Sequence, residues 1–384
     1  MAEMPAASDD RTRYLWVDFA KTLGIWGIVL LQVRISPILS SYIVTIVLPL
    51  FFFISGFLER DNKAPREAAI IGAKTLLVPY VIFSLVFYFV WLLRAFLGSQ
   101  SPVSGGIELF KIIAMPLAGI LLGWGHNTAY SMMLNSPLWF LVCLFFIKQI
   151  HGSVNILAGR RIGYRCLALA AIFVLTAFIA FLERKYSFRI IFSIDSAFLA
   201  YPFFALGNLA RNINFEKLGD GRDRIEIVVK ALIGIMGFIA LDFFRTRNGS
   251  ADISVMVYGK NLLAFYILGI LGIASVLFLS FLYSRQIFWI TVISNGALLI
   301  LAFHPLVFFF TEFLGSRLGI EKNFLLAFLV SFMAVIVFIV PIAFLEKHCP
   351  MLLGHKWFRK GKGDNEDSES GEPDEAPSDA PDGE

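Results

Sequence analysis

The sequence predicts an all-α integral membrane protein, a single bundle of about ten transmembrane helices. Of the 384 residues, 58% are hydrophobic, 40 are phenylalanine and only 16% are charged. The mean hydropathy is +0.74. A water-soluble domain cannot hide so much apolar surface, and the apolar runs are continuous rather than alternating, which argues against a β-barrel.

Ten apolar runs come close to the length of about 20 residues that a membrane-crossing helix needs. They lie at 13–34, 42–58, 69–93, 136–150, 166–183, 190–210, 225–243, 260–282, 288–313 and 323–345. A shorter run at 107–122 is broken by Pro116 and is predicted to be interfacial or re-entrant. The similar lengths and regular spacing of the runs favour one bundle over several domains.

The chain divides into a cytoplasmic amino-terminal segment at 1–12, a membrane domain at 13–345 and a cytoplasmic segment at 346–384. The last segment is basic near the membrane and then acidic: from Gly363 to Glu384 it has ten acidic residues, no basic one and no large apolar side chain. Such a tail is predicted to be disordered. With both termini in the cytoplasm, 19 of the 33 Lys and Arg residues lie in cytoplasmic segments and 11 in external ones, which supports this orientation.

The charge balance favours a membrane surface over nucleic acid as the partner. The formal net charge is +4, so without the ten acidic residues of the tail the membrane body carries about +14, and cytoplasmic loops of that charge face anionic lipid. No basic soluble domain is present to bind a strand. The three cysteines, Cys143, Cys166 and Cys349, are intramembrane or cytoplasmic, so we expect neither a disulfide framework nor a metal site.

Three polar residues interrupt the first apolar run: Asp18, Lys21 and Gln32. A helix turns about 100° per residue, so Lys21 and Gln32 differ by only about 20° around the axis, and Asp18 lies about 40° to the other side of Gln32. All three share one face, and Asp18 and Lys21 are close enough to pair. Ionisable groups within a span usually face a cavity or a partner. The alternative is that Asp18 and Lys21 lie at the cytoplasmic interface and only join helices.

His304 is the only histidine inside a predicted span, and Pro305 after it removes a backbone N–H from the helix. With the ninth span running outward, His304 and Gln32 both fall in the outer half of the bilayer and could meet. A histidine can accept a proton near neutral pH, so His304 is a candidate general base. The alternative is a hydrogen-bonded packing residue.

Weaker signals lie in other runs. In the second run, the stretch LPLFFFISGFLER contains two small residues, Ser55 and Gly56, of which Ser55 is polar. In the fourth run, the stretch SPLWFLVCLFF contains Trp139 near its start. Small residues are also routine helix contacts, and tryptophan is also an interfacial anchor. Four carboxylates near the outer helix ends are candidates to hydrogen-bond a hydroxylated acceptor: Glu183, Asp195, Asp242 and Glu312. The alternative is that they are ordinary charged residues at solvated helix ends.

Together these pieces resemble membrane-bound acyltransferase family 3, which includes polysaccharide O-acetyltransferases and fucose 4-O-acetylase-like proteins. Six segments within 13–345 carry the resemblance in order: WVDFAKTLGIWGIVLLQ, LPLFFFISGFL, KTLLVPYVIFS, SPLWFLVCLFF, YPFFALGNLAR and LLILAFHPL. The resemblance implies a helical bundle in the bacterial cytoplasmic membrane. It implies transfer of an acyl group, commonly acetyl from cytoplasmic acetyl-CoA, to a hydroxyl of an envelope glycan or its lipid-linked precursor.

The chain departs from the family at two positions. The first helix of the family typically has Asp, a basic residue three places on and a histidine eleven places after that; Asp18 and Lys21 match, but Gln32 stands at the histidine position. A second histidine, two residues before the proline of the PLFF motif, is Val47 here, whereas His304 matches the HP element. Glutamine cannot take a proton from a hydroxyl. Either another group such as His304 is the base, or the reaction has been lost or changed.

The resemblance implies catalytic roles for His304, Lys21 and Gln32. Lys21 would attract a CoA phosphate or the thioester oxyanion, and Gln32 would orient the acceptor or polarise the thioester carbonyl. Asp18 and Ser55 join Lys21 as candidate residues for donor binding.

Trp139 and Asp195 are the candidates for acceptor binding. The implied donor is acetyl-CoA or another acyl-CoA, with no metal. The implied partners are a glycan or lipid-linked saccharide, the lipid bilayer and polysaccharide-assembly proteins, with no nucleic acid.

Two other classes of function remain open. A transporter or assembly partner for a lipid-linked glycan would retain the fold without the chemistry, because fold alone does not fix function. An ion-coupled pump has less support, because few ionisable groups lie deep in the runs and no inverted repeat with paired broken helices is evident.

Overall fold

A computed structural model describes residues 13–33, 35–60, 64–98, 106–123, 137–159, 161–186, 190–213, 215, 223–283, 285–318 and 324–354. The predicted segment 1–12 and the acidic tail lie outside the described residues. The α-helices are α1 (Leu15–Leu31), α2 (Pro37–Leu58), α3 (Pro65–Gly72), α4 (Val78–Gly98), α5 (Gly106–Leu121), α6 (Trp139–Ala158), α7 (Ile162–Tyr186), α8 (Ile194–Ala210), α9 (Arg224–Asn248), α10 (Leu262–Ser280), α11 (Phe288–Asn295), α12 (Ala297–Leu318), α13 (Phe324–Val337) and α14 (Ile339–His348). A π-helical turn at Ala73–Leu77 joins α3 to α4, and 3₁₀ turns lie at Ile191–Ser193, Ile253–Val255 and Pro350–Leu353.

Side-chain caps and proline set where several of these helices begin. Ser36 accepts a hydrogen bond from the backbone N–H of Leu39 and is followed by Pro37, the first residue of α2. Asp223 accepts from the N–H of Ile225 at the start of α9. These contacts satisfy amide groups that have no partner within their own helix.

The described residues contain seven helical segments that are long and apolar enough to cross a membrane, or eight if the bent pair α11–α12 counts as one span. The predicted number of about ten is not confirmed. Helices α1 and α8 have 17 residues each, or about 25 Å at about 1.5 Å per residue, which is shorter than a hydrocarbon core of about 30 Å. The run predicted to be interfacial or re-entrant forms α5, a helix of 16 residues with Pro116 inside it.

Helix α1 lies inside the bundle, packed against α2, α10, α11, α12 and α13. Near its start, the Trp16 ring packs edge-on against Phe57, with ring centroids 4.8 Å apart. Near its middle, Trp26 Nε1 donates to Ser331 Oγ at 3.3 Å. A helix enclosed in this way can present polar groups to protein instead of lipid.

The closest helix contact joins α2 and α8 at two glycines. A β-carbon added to Gly56 would lie 1.9 Å from the carbonyl oxygen of Phe204, and one added to Gly207 would lie 1.9 Å from the carbonyl oxygen of Phe53. Each glycine therefore leaves the space that the backbone of the other helix fills, as is common between membrane helices.

We expect Gly56→Ala and Gly207→Ala each to destabilise the bundle by at least about 1–3 kcal/mol, the usual cost of adding a methyl group to a packed interior. Thermal unfolding of purified protein in detergent measures the effect. Gly152→Ala in α6 is the matched control, because a β-carbon there meets nothing within 4 Å. Equal unfolding temperatures for the three variants would contradict the direct backbone contact.

Candidate functional site

A cavity of about 450 Å³ lies alongside α1, and its wall includes both Lys21 and Gln32. These residues are separated by about 16 Å of helix at about 1.5 Å per residue. We call the two regions the lysine end and the glutamine end. The rest of the wall comes from α2, α6, the π-helical turn, the α9–α10 loop, the α11–α12 break and the Pro350–Leu353 turn with Gly354. The cavity thus follows the polar face predicted for α1.

Asp18 lies near the lysine end but is not on the cavity wall. Its side chain is buried; Oδ2 accepts a hydrogen bond from Arg13 Nε at 2.7 Å, and Oδ1 accepts one from Ser294 Oγ at 2.6 Å. A buried carboxylate needs such partners to offset its lost hydration. The expected pair with Lys21 is not formed within 4.0 Å, because Arg13 and Ser294 occupy the two oxygens of Asp18.

Lys21 is left with its ammonium group at the cavity. Its side chain is partly exposed, and it forms no hydrogen bond or ion pair with another residue in the described part of the chain. The second lysine on the wall, Lys148, forms an ion pair with Glu59 at 2.5 Å. Lys21 is therefore the lysine whose charge is available to a ligand.

Three irregular segments complete the lysine end. The break at Gly296 turns the chain by 85° between α11 and α12. A β-carbon at Gly296 would lie 2.1 Å from Ile342 Cδ1, so the Ile342 side chain would have to move to admit one. The π-helical turn brings the consecutive residues Thr75 and Leu76 to the wall; π turns are frequent at functional sites. Gly354, with φ of +77°, packs near both segments.

The glutamine end lies where α9 approaches the start of α2. Arg245 Nη1 donates to Ser41 Oγ at 3.2 Å, and Tyr42 Oη donates to the carbonyl oxygen of Phe238 at 3.1 Å. The loop that follows α9 is thereby held beside α2, and it contributes Asp252 and Ser254 to the cavity wall. Gln32 itself is exposed at the carboxyl end of α1.

Asp252 is a wall residue that the sequence did not single out. Its Oδ1 accepts hydrogen bonds from the backbone N–H and the hydroxyl of Ser254, at 2.9 and 2.5 Å. The available signal was Asp followed two residues later by Ser between two apolar runs, a pattern typical of an Asx turn. That pattern predicts local structure but not which helices the loop contacts.

Two further predicted site residues, Ser55 and Trp139, are on the cavity wall. Ser55 Oγ donates to the carbonyl oxygen of Phe51 at 2.7 Å, which leaves the lone pairs of the hydroxyl oxygen for another donor. Trp139 is buried beside Phe52, with ring centroids 6.4 Å apart.

Asp195 does not reach the cavity wall. Its side chain is fully buried at the start of α8, and Oδ1 accepts from the N–H of Ser196 at 2.7 Å. Ser196 Oγ in turn donates to the carbonyl oxygen of Ile253 at 2.8 Å. Asp195 therefore lies behind the loop that holds Asp252.

His304 also lies behind the wall. Its side chain is fully buried, and Nδ1 donates to the carbonyl oxygen of Ile300 at 2.8 Å. A carbonyl only accepts, so Nε2 holds the lone pair, and this buried atom has no hydrogen-bond partner among the described residues. Leu301, one turn earlier in α12, is on the wall. The structure does not bring His304 to the same wall as Gln32.

The other predicted carboxylates are away from this cavity. Asp242 is exposed and pairs with Arg245 at 2.8 Å, Glu183 is buried at the end of α7, and the side chain of Glu312 lies outside the described part of the chain. Within that part, no group of three or more His, Cys, Asp or Glu residues is arranged to hold a metal ion.

The sequence matches the model of a known protein family. The model of acyltransferase family 3, described as an acyltransferase domain, matches residues 14–344. That range runs from the residue before α1 into α14 and covers the whole cavity wall except Leu353 and Gly354. No curated protein and no solved structure matches the chain. The chain belongs to acyltransferase family 3, and it is a membrane acyltransferase by that membership.

Proposed function

We propose that the protein transfers an acetyl group from acetyl-CoA to a sugar hydroxyl of an envelope or exported polysaccharide, or of its lipid-linked precursor. The observation that carries the proposal is the cavity, which has an available lysine ammonium at one end and hydrogen-bonding groups at the other. Its volume of about 450 Å³ is in the range of small-molecule sites. Family membership supplies acyl transfer as the class of reaction.

The lysine end is the proposed donor site. The Lys21 ammonium would bind a phosphate of CoA. The thioester then lies toward the glutamine end, about 16 Å along the helix, where the acceptor binds. Asp18, held by Arg13 and Ser294, supports the start of α1 beside the donor. The Ser55 oxygen offers an acceptor to an amide of the donor.

The glutamine end is the proposed acceptor site. Gln32 can both donate to and accept from sugar hydroxyls. Trp139, on the cavity wall beside Phe52, offers an aromatic face to a sugar that reaches along the cavity. Asp195 acts indirectly through the loop that it supports.

In the proposed reaction, the acceptor hydroxyl oxygen attacks the thioester carbonyl carbon, an ester forms and the C–S bond breaks. CoA leaves as a thiolate and takes up a proton. Gln32 cannot remove the proton from the hydroxyl. The prediction from sequence assigns that step to His304, whose Nε2 has the necessary lone pair, although Leu301 and not His304 is on the wall.

We place the protein in the bacterial cytoplasmic membrane with both termini in the cytoplasm. The distribution of Lys and Arg supports this orientation. The lysine end then faces cytoplasmic acetyl-CoA, and the glutamine end faces the exported or lipid-linked glycan.

A second candidate function is transport or assembly of a lipid-linked glycan. It is favoured by Gln32, which replaces the histidine typical of the family. Purified protein incubated with labelled acetyl-CoA and candidate glycans decides between the two functions. Label in the glycan supports the transferase; no labelled product, together with normal glycan acetylation in a deletion strain, rejects it.

We expect Lys21→Met to weaken acetyl-CoA binding about tenfold to a hundredfold. A charge-assisted hydrogen bond contributes about 1.5–3 kcal/mol, and about 1.4 kcal/mol corresponds to a factor of ten. Titration of purified protein with labelled acetyl-CoA measures the change. Lys111→Met is the matched control, because Lys111 is exposed on α5 and away from the wall. Equal affinities for the two variants would remove the donor role of Lys21.

Gln32→His is expected to raise the rate of acetyl transfer about tenfold or more, because a general base commonly contributes about 10²–10⁴-fold. Gln32→Asn, which keeps an uncharged amide, is the comparison variant. Transfer that rises from zero identifies a silenced enzyme. A rate in Gln32→His that matches wild type shows that the missing histidine at position 32 does not limit acetyl transfer.

A further inference from the structure

Asp252 is the only carboxylate on the described wall of the cavity, and that part of the wall has no histidine. The other charged wall residues are Lys21 and Lys148. An ammonium group has no lone pair with which to accept a proton, whereas a carboxylate has several. Of the wall residues that the structure describes, Asp252 is thus the one suited to bind a hydroxyl as its proton acceptor.

The two oxygens of Asp252 have different surroundings. Ser254 donates two hydrogen bonds to Oδ1, at 2.9 and 2.5 Å, whereas Oδ2 receives none from any described residue. The side chain is partly exposed. The Oδ1 contacts fix the orientation of the carboxylate and leave Oδ2 for a ligand.

The loop that carries Asp252 is fixed on several sides. Asp252 and Val257 exchange backbone hydrogen bonds at 2.6 and 3.0 Å. Asn248 closes the base of the loop by donating to the Tyr258 carbonyl and accepting from the Asn261 N–H, each at 2.9 Å. The loop therefore holds the carboxylate in place, as a reacting group requires.

We propose that Asp252 binds the reacting hydroxyl of the acceptor and takes its proton. This inference rests on the proposed acyl transfer and names a base for it. The hydroxyl hydrogen-bonds to Oδ2; as its oxygen forms the ester bond to the thioester carbon, its proton moves to Oδ2 and the C–S bond breaks. The protonated Asp252 then gives the proton to water, and the CoA thiolate takes one up. Asp252 thus supplies at the glutamine end the proton acceptor that Gln32 cannot be.

A purely structural role for Asp252 makes a different prediction. Asp252 caps the Ile253–Val255 turn through Oδ1, and an asparagine oxygen can accept the same two hydrogen bonds from Ser254. Asp252→Asn thus retains the cap and removes the proton acceptor. Asp252→Glu retains the carboxylate but disturbs the cap, because its side chain is longer by one methylene group.

The experiment measures acetyl transfer to glycan, binding of labelled acetyl-CoA and thermal unfolding, with rates normalised to folded protein. We expect Asp252→Asn to lower the transfer rate at least about a hundredfold while donor affinity stays within about twofold of wild type. Asp252→Glu should keep more transfer activity than Asp252→Asn. Asp223→Asn is the matched control, because Asp223 caps α9 in the same manner away from the wall; it should behave as wild type.

Each of the following results overturns the inference. If Asp252→Asn transfers acetyl at the wild-type rate, or if Asp252→Glu is the more impaired of the pair, Asp252 is a turn cap and not the base. A hundredfold loss in His304→Asn with none in Asp252→Asn assigns the proton to His304 instead. If the wild-type protein acylates no glycan, the proposed function itself fails, and the inference fails with it.

Discussion

The backbone contact between α2 and α8 is the constraint on which the cavity depends. Helix α2 forms its wall from Ser40 to Ser55, and α8 holds the loop of Asp252 through the hydrogen bond from Ser196 to Ile253. At Gly56 and Gly207, carbonyl oxygens occupy the positions that β-carbons would need. The two helices cannot slide past one another without collision, because packed interiors have little free volume. This steric contact thereby sets the distance between the part of the cavity wall formed by α2 and the loop that carries Asp252.

The partners of the charged residues decide which charge a ligand can use. Charges in a protein interior need compensation: Asp18 has Arg13 and Ser294, and Lys148 has Glu59. Lys21 remains at the cavity with no ion pair to a described residue. Asp18 and Lys21 thus differ in role although they share one face of α1. The Asp18 carboxylate is used in structural contacts, whereas the Lys21 ammonium is available to a ligand.

Much of the architecture could be predicted from sequence, because hydropathy and helical geometry are local properties. The helical runs and the common face of Lys21 and Gln32 follow from residue spacing. The number of spans does not follow from residue spacing. Helices α1 and α8 each have only 17 residues, fewer than the roughly 20 that a membrane-crossing helix needs. The two partners of Asp18 were missed, because Ser294 lies far along the chain and Arg13 is the first residue of the predicted run, five residues before Asp18. Asp252 was missed for a similar reason: its loop meets the cavity only through contacts between distant helices.

Gly354, the last residue that the structure describes, forms part of the cavity wall at the lysine end and has φ of +77°. A residue with a β-carbon is strained at this backbone conformation, whereas glycine adopts it readily. The wall at this end is therefore formed in part by a turn of main chain. A substitution at Gly354 would alter the shape of the cavity without changing any charged group on its wall.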